Sequence, residues 1–266
     1  MSANSSEYEP LVPMARAVQS IPLARPAGLI RPEEPMLLRR ISGWRAVVDV
    51  VLGALIFLLA QMVIGSAGMT PDGELRWPGG ASYLLLTSVP GLLTLLMIVG
   101  MVLFYDGNPA ELGLRFRLFW LIAPISLLAT EVAFVVAVMI TISVAYFTGG
   151  FELVQENAEN VGEMIPPWSK WAIGLWMLTV AFYEEAIFRG FLLPRLRRVF
   201  SSWPVAILLS SAIFAMLHLG DQNHLAATVL FFVASVWAIT TILCRSIWPA
   251  VLSHFLFNMV QVLQLP

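Results

Sequence analysis

From Ala46 to the end, long apolar stretches alternate with short polar interruptions, running approximately 46–65, 82–105, 118–146, 168–194, 203–219, 225–243 and 247–264. Each meets or approaches the roughly 20 residues that a helix needs to cross a bilayer. The pattern predicts an all-α, polytopic transmembrane helix bundle of about seven spans, with eight as the alternative. The third stretch is long enough to tilt or kink, and Pro124 near its start is tolerated in a membrane helix. The first 44 residues differ: they carry six prolines and no long apolar run. We therefore divide the chain into a flexible tail, 1–44, and a membrane domain, 45–266. A secretory signal is not expected, because the first apolar run begins only at Ala46.

Composition supports this reading and removes others. Hydrophobic residues make up 59% of the 266 and charged residues 12%, whereas soluble domains hold about 25% charge. So little charge cannot cover the outside of a soluble chain of this length. A net charge of −2 provides no basic field, so no nucleic-acid partner is expected. One cysteine, Cys244, excludes an internal disulfide and a cysteine-based metal cluster. Basic residues fall twelve to two on alternate sides of the predicted spans, with Arg189 set aside as intramembrane. The positive-inside bias then places the N-terminus in the cytoplasm and the C-terminus outside. The interval from Gly149 to Lys170, with four glutamates, becomes an outer loop.

Charge inside a span costs at least ~2.5–3.5 kcal/mol on insertion scales and usually has a task. Asp49 can pair with Arg45 one turn away at the end of the first span. Glu131 sits mid-span in the third, equally readable as a buried hydrogen-bonding group or a proton site. The dense cluster is Tyr183-Glu184-Glu185-Ala186-Ile187-Phe188-Arg189-Gly190. Glu185 and Arg189, at i and i+4, share a face and can pair, which leaves Glu184 pointing elsewhere. A buried glutamate is suited to taking a proton from water.

Two of the three histidines follow in apolar surroundings. His218 closes the fifth stretch, and His254 lies in the seventh, four residues and one helical turn from Asn258. On one face, His254 and Asn258 can both donate to an oxyanion. His224, beside Asp221, reads as a solvated loop residue.

In order, these form Glu-Glu-x-x-x-Arg at Glu184–Arg189, Phe-x-x-x-His at Phe214–His218 and His-x-x-x-Asn at His254–Asn258. The set resembles the CPBP intramembrane proteases, also called the Abi or type II CAAX prenyl endopeptidase family, which includes lysostaphin-resistance-A-like proteins. The resemblance covers roughly residues 165–262, and the short Glu111-Leu112-Gly113-Leu114-Arg115 is also similar. It implies a polar cavity between the C-terminal spans, in which Glu184 activates water with help from His218. His254 and Asn258 would then stabilise the oxyanion while Glu185 and Arg189 support the site. It also implies a multi-pass location in a bacterial plasma membrane, a peptide or protein substrate at the bilayer, and hydrolysis of the CAAX-processing kind. The family has been labelled metalloendopeptidase, and one zinc held by Glu184, His218 and His254 is the alternative chemistry. No His-Glu-x-x-His pair is present, and glutamate-activated water needs no metal, so no cofactor is expected.

Depth arithmetic sets a condition on this site. At ~1.5 Å per residue, Glu184 lies roughly 16 Å from Arg195 and His254 roughly 9 Å from Trp248, but His218 lies roughly 22 Å from Trp203. Convergence requires tilt, a break near Pro194 or a late start at Pro204. The cavity is expected to open toward the basic segment Arg195–Arg198. The competing function is a non-hydrolytic membrane protein on the same scaffold, either an immunity or interaction factor or a proton-coupled carrier using Glu131 and Glu184.

Overall fold

Every predicted span folds as a helix, and one helix was not anticipated. The computed structural model describes residues 41–68, 80–105, 112–115, 119–148, 152–165, 168–219 and 222–264. Of these, 91% are helical and none is in a strand. The helices are α1 (Gly43–Gly68), α2 (Gly80–Tyr105), α3 (Phe119–Thr148) and α4 (Glu152–Met164). They continue with α5 (Lys170–Phe200), α6 (Trp203–Leu217), α7 (His224–Cys244) and α8 (Trp248–Gln264). Residues 1–40 of the expected tail lie outside the described residues, as do Asp221 and Glu111.

Helix α4 corrects the reading of the Gly149–Lys170 interval as a plain loop. Its glutamates Glu152, Glu156 and Glu159 are exposed, while Leu153 and Val161 are half-buried. With 13 polar-rich residues it is too short to be an eighth crossing. Similarly, His224 is the exposed first residue of α7, whose first turn is capped by the Asn223 side chain accepting from Ala226 N–H at 3.1 Å.

Four helices are long and apolar enough to cross a membrane: Gly43–Ile64, Trp120–Thr148, Lys170–Phe200 and His224–Cys244. Segments Ser88–Phe104 and Trp203–Leu217 are apolar but shorter. Large apolar side chains such as Leu58, Leu96, Leu128 and Trp171 face outward, a surface that suits lipid and not water. The protein is an integral membrane protein. Small hydroxyl residues fold back onto their own helices, as expected where no water competes: Ser126 and Thr130 donate to the Ile122 and Ser126 carbonyls in α3, and Thr94 to Pro90 in α2.

The core gathers between α3, α5, α6, α7 and α8, around Phe188, Phe214, Trp237 and Phe257. Helix α1 packs on α2 and on the last turns of α5. There Asp49 is buried between Arg45, at 2.7 Å, and Arg195, at 3.0 Å. The expected local pair is thus one half of a bridge between α1 and α5, because Arg195 belongs to a buried helical turn and not to a loop. Arg198 extends the same junction by donating to the Ile41 carbonyl.

Helix α5 changes register where the site is built. It is α-helical to Glu185, π-helical over Ala186–Leu192 and α-helical again from Leu193. Pro194 explains where the wide turn ends. It has no N–H to donate, and its ring would crowd the Gly190 carbonyl in a regular α-helix. The wider turns before it absorb that mismatch, with Leu193 N–H reaching back to Phe188 O. Gly190 also allows close approach, since a Cβ there would stand 2.5 Å from the Leu112 carbonyl oxygen. The adjacent Gly113, at φ 74°, takes a left-handed turn open to glycine. Its carbonyl accepts from Ile247 N–H at 3.1 Å. The Leu112–Arg115 segment thereby ties α5 to the start of α8.

Candidate active site

Glu185 is the structural centre of the site. It is 0% exposed, and its Oε1 lies 3.1 Å from Arg189 Nη1 and accepts from His254 Nδ1 at 3.0 Å. The expected pair with Arg189 is present, and His254 is a second partner that the sequence did not disclose. Arg189, also buried, donates from Nη2 to the Ala234 carbonyl at 3.1 Å. Its guanidinium lies over the Phe214 and Trp237 rings at 4.7 and 5.5 Å, a desolvated cation–π setting.

Glu184 is directed differently. Its side chain is 16% exposed and lines a cavity of about 430 Å³. His254 Nε2 is 3.7 Å from its Oε2, so His254 stands between the two glutamates. With Nδ1–H committed to Glu185, the imidazole turns Nε2 toward Glu184. The ring is clamped on its faces too: it stacks on Trp237 at 4.1 Å and meets Phe214 edge-on at 6.0 Å. Trp237 is fixed in turn by its indole N–H donating to Ser253 Oγ at 3.0 Å. Trp237 is the residue that sequence reasoning missed. A tryptophan within an apolar span carries no local signal of this contact.

His218 and Asn258 line the same cavity as Glu184 and His254. His218 closes α6, and its Nδ1 donates to the Phe214 carbonyl at 2.9 Å. With Nδ1 as the donor, Nε2 is the ring nitrogen left to face the cavity. Among the described residues no hydrogen bond joins His218 to Glu184. The four side chains line one cavity; α5 carries a π-helical stretch before Pro194, and α6 has no late start.

Two expectations are corrected. None of Arg195, Arg197 and Arg198 lines the cavity, whose lining runs from Val50 and Leu192 past Glu184 to Gln222 and Gln261. Glu131 lies exposed on the outer face of α3, away from the cavity lining. A carrier path through Glu131 and Glu184 therefore has no shared chamber. As for a metal, no three His, Cys, Asp or Glu side chains among the described residues gather closely enough to hold an ion. His254 Nδ1 and His218 Nδ1 are engaged by Glu185 and the Phe214 carbonyl, which leaves Nε2 as the free nitrogen of each ring.

Residues 166–260 match the family model described as type II CAAX prenyl endopeptidase Rce1-like. The match spans all three motifs and agrees with the resemblance read from them. It covers a little over a third of the chain. No curated protein and no solved structure is similar enough to count as a match.

Proposed function

We propose that the protein is an intramembrane endopeptidase that hydrolyses a peptide bond with water activated by Glu184. The observation that carries this reading is the gathering of Glu184, His218, His254 and Asn258 on one cavity from three helices. A scaffold has no chemical need for all four, whereas hydrolysis uses each.

In this mechanism Glu184 takes a proton from a water in the cavity, and the water oxygen attacks the peptide carbonyl. His218, a neutral acceptor at Nε2, holds that water. Asn258 donates its amide to the developing oxyanion. His254 joins it when Nε2 is protonated as well as Nδ1, and Glu185 at 3.0 Å and Glu184 at 3.7 Å then offset the imidazolium charge. Glu185 fixes the His254 ring, and Arg189 balances Glu185. The proton held by Glu184 passes to the leaving amine.

The scheme requires no metal, and strong chelators are expected to leave activity intact. Loss on chelation, restored by stoichiometric zinc, would reverse this. We further propose seven crossings with a cytoplasmic N-terminus, in a bacterial plasma membrane, and a protein or peptide substrate reached within the bilayer. CAAX-type processing is the reaction that the family match supports. The test is incubation of the purified protein with a peptide library beside Glu184→Gln. Cleavage confined to the unsubstituted chain supports the proposal, and equal cleavage by both overturns it.

A further inference from the structure

The cavity is not uniform. Toward Leu192 it is lined by Val50, Gly53, Ile98 and Phe191, all apolar. Beyond Glu184 in the other direction apolar side chains such as Phe57, Leu58 and Val262 are joined by three glutamines from three separate places: Gln61 on α1, Gln222 just before α7 and Gln261 on α8. Each is half-buried. Among the described residues the side-chain amides of Gln61 and Gln222 form no hydrogen bond, and Gln261 makes only a long one of 3.4 Å to the Phe257 carbonyl.

Position ties these glutamines to the chemistry. His254, Asn258 and Gln261 recur at i, i+4 and i+7, on one face of α8. Gln261 is three residues past Asn258, about 4.5 Å along the axis. An extended peptide advances about 3.3 Å per residue, which puts Gln261 within two residues of the bond being cut. Gln222 is one turn past His218, with its N–H donating to the His218 carbonyl at 2.9 Å.

We propose that Gln61, Gln222 and Gln261 form a main-chain clamp, which holds an extended peptide segment on the far side of the scissile bond from the apolar pocket. A carboxamide offers both a donor and an acceptor, and so matches the N–H and C=O that every residue of an extended chain presents. No Lys or Arg lines the cavity among the described residues. Neutral hydrogen bonding, not positive charge, is what these side chains supply. The clamp selects an unfolded segment whose main-chain groups are free and tolerates varied side chains there. The inference rests on the hydrolytic reading of the same cavity.

The experiment uses the full chain carrying Glu184→Gln as a trap, immobilised in detergent. The probe is a random decapeptide library with acetylated and amidated ends, and retention is read by mass spectrometry. Adding Gln61→Leu and Gln261→Leu is expected to lower retention about tenfold, the worth of one or two neutral hydrogen bonds. Methylating single backbone nitrogens of retained peptides is expected to cost a similar factor at one or two positions, and to cost nothing further in the glutamine variants. The methylation cost measured on the trap itself does not depend on the glutamine variants, so it also serves if they misfold. Equal retention by trap and variants, no retained peptide, or methylation costs at no position would overturn the clamp. Cleavage by the chain with Glu184 intact separates the two readings. Cleavage indifferent to the glutamines removes the clamp and leaves hydrolysis; glutamine-dependent retention with no cleavage does the reverse.

Discussion

Replacing Glu185 by Gln keeps the side-chain shape and removes one charge from a place with no water to compensate it. The carboxylate is 0% exposed and Arg189 1%. Besides its ion pair with Glu185, Arg189 has one hydrogen bond, to Ala234, and a buried Nε–H with no acceptor. The substitution therefore leaves a cation among aromatic rings. Breaking a buried pair from one side costs roughly 3–5 kcal/mol; even the lower figure shifts the folded-to-unfolded ratio about a hundredfold. We expect Glu185→Gln to lower the thermal midpoint in detergent and the folded yield, and to slow turnover because His254 loses the acceptor at 3.0 Å that orients it. Adding Arg189→Met should recover much of the stability and none of the activity, since the charge is gone and His254 is still unheld. Unchanged melting of Glu185→Gln, or equal stability of the single and double variants, would refute the reasoning.

Other outcomes follow from the same geometry. Asn258→Ala should reduce kcat by about 10²–10³ with little change in KM, as expected for loss of one oxyanion donor; full turnover with a lower melting point would reassign Asn258 to helix packing. Gly91→Ala should destabilise by about 1–3 kcal/mol, because its Cβ would overlap the buried Tyr183 ring; unchanged thermal unfolding would show that the ring can move aside. With Cys244 replaced, a cysteine at Gly73 should react with an impermeant reagent in intact cells and one at Asn108 should not, and the reverse would overturn the proposed orientation.

Much of the fold was legible because lipid imposes length and hydrophobicity on a span, and both are local properties of sequence. Helix α4 escaped that criterion because it is short and polar, as a helix lying outside the hydrocarbon can be. The pairing of Glu185 with Arg189 was also legible, being an i,i+4 relation within one helix. His254 Nδ1 to Glu185 was not, since 69 residues separate them and only packing sets their distance. For the same reason Asp49 read as the partner of Arg45 alone, although Arg195 completes the bridge. The π-helical stretch before Pro194 was anticipated only as a break. Which face the wider turn presents depends on the neighbours, among them Leu112 against Gly190.

The central claim is that water activated by Glu184 cuts a peptide bond, and a single turnover in ¹⁸O-water tests it most directly. The account predicts one ¹⁸O in the newly formed carboxylate of the peptide product with the unsubstituted chain, and no labelled product with Glu184→Gln at matched folded protein. Labelled product released by Glu184→Gln at the same rate would contradict it.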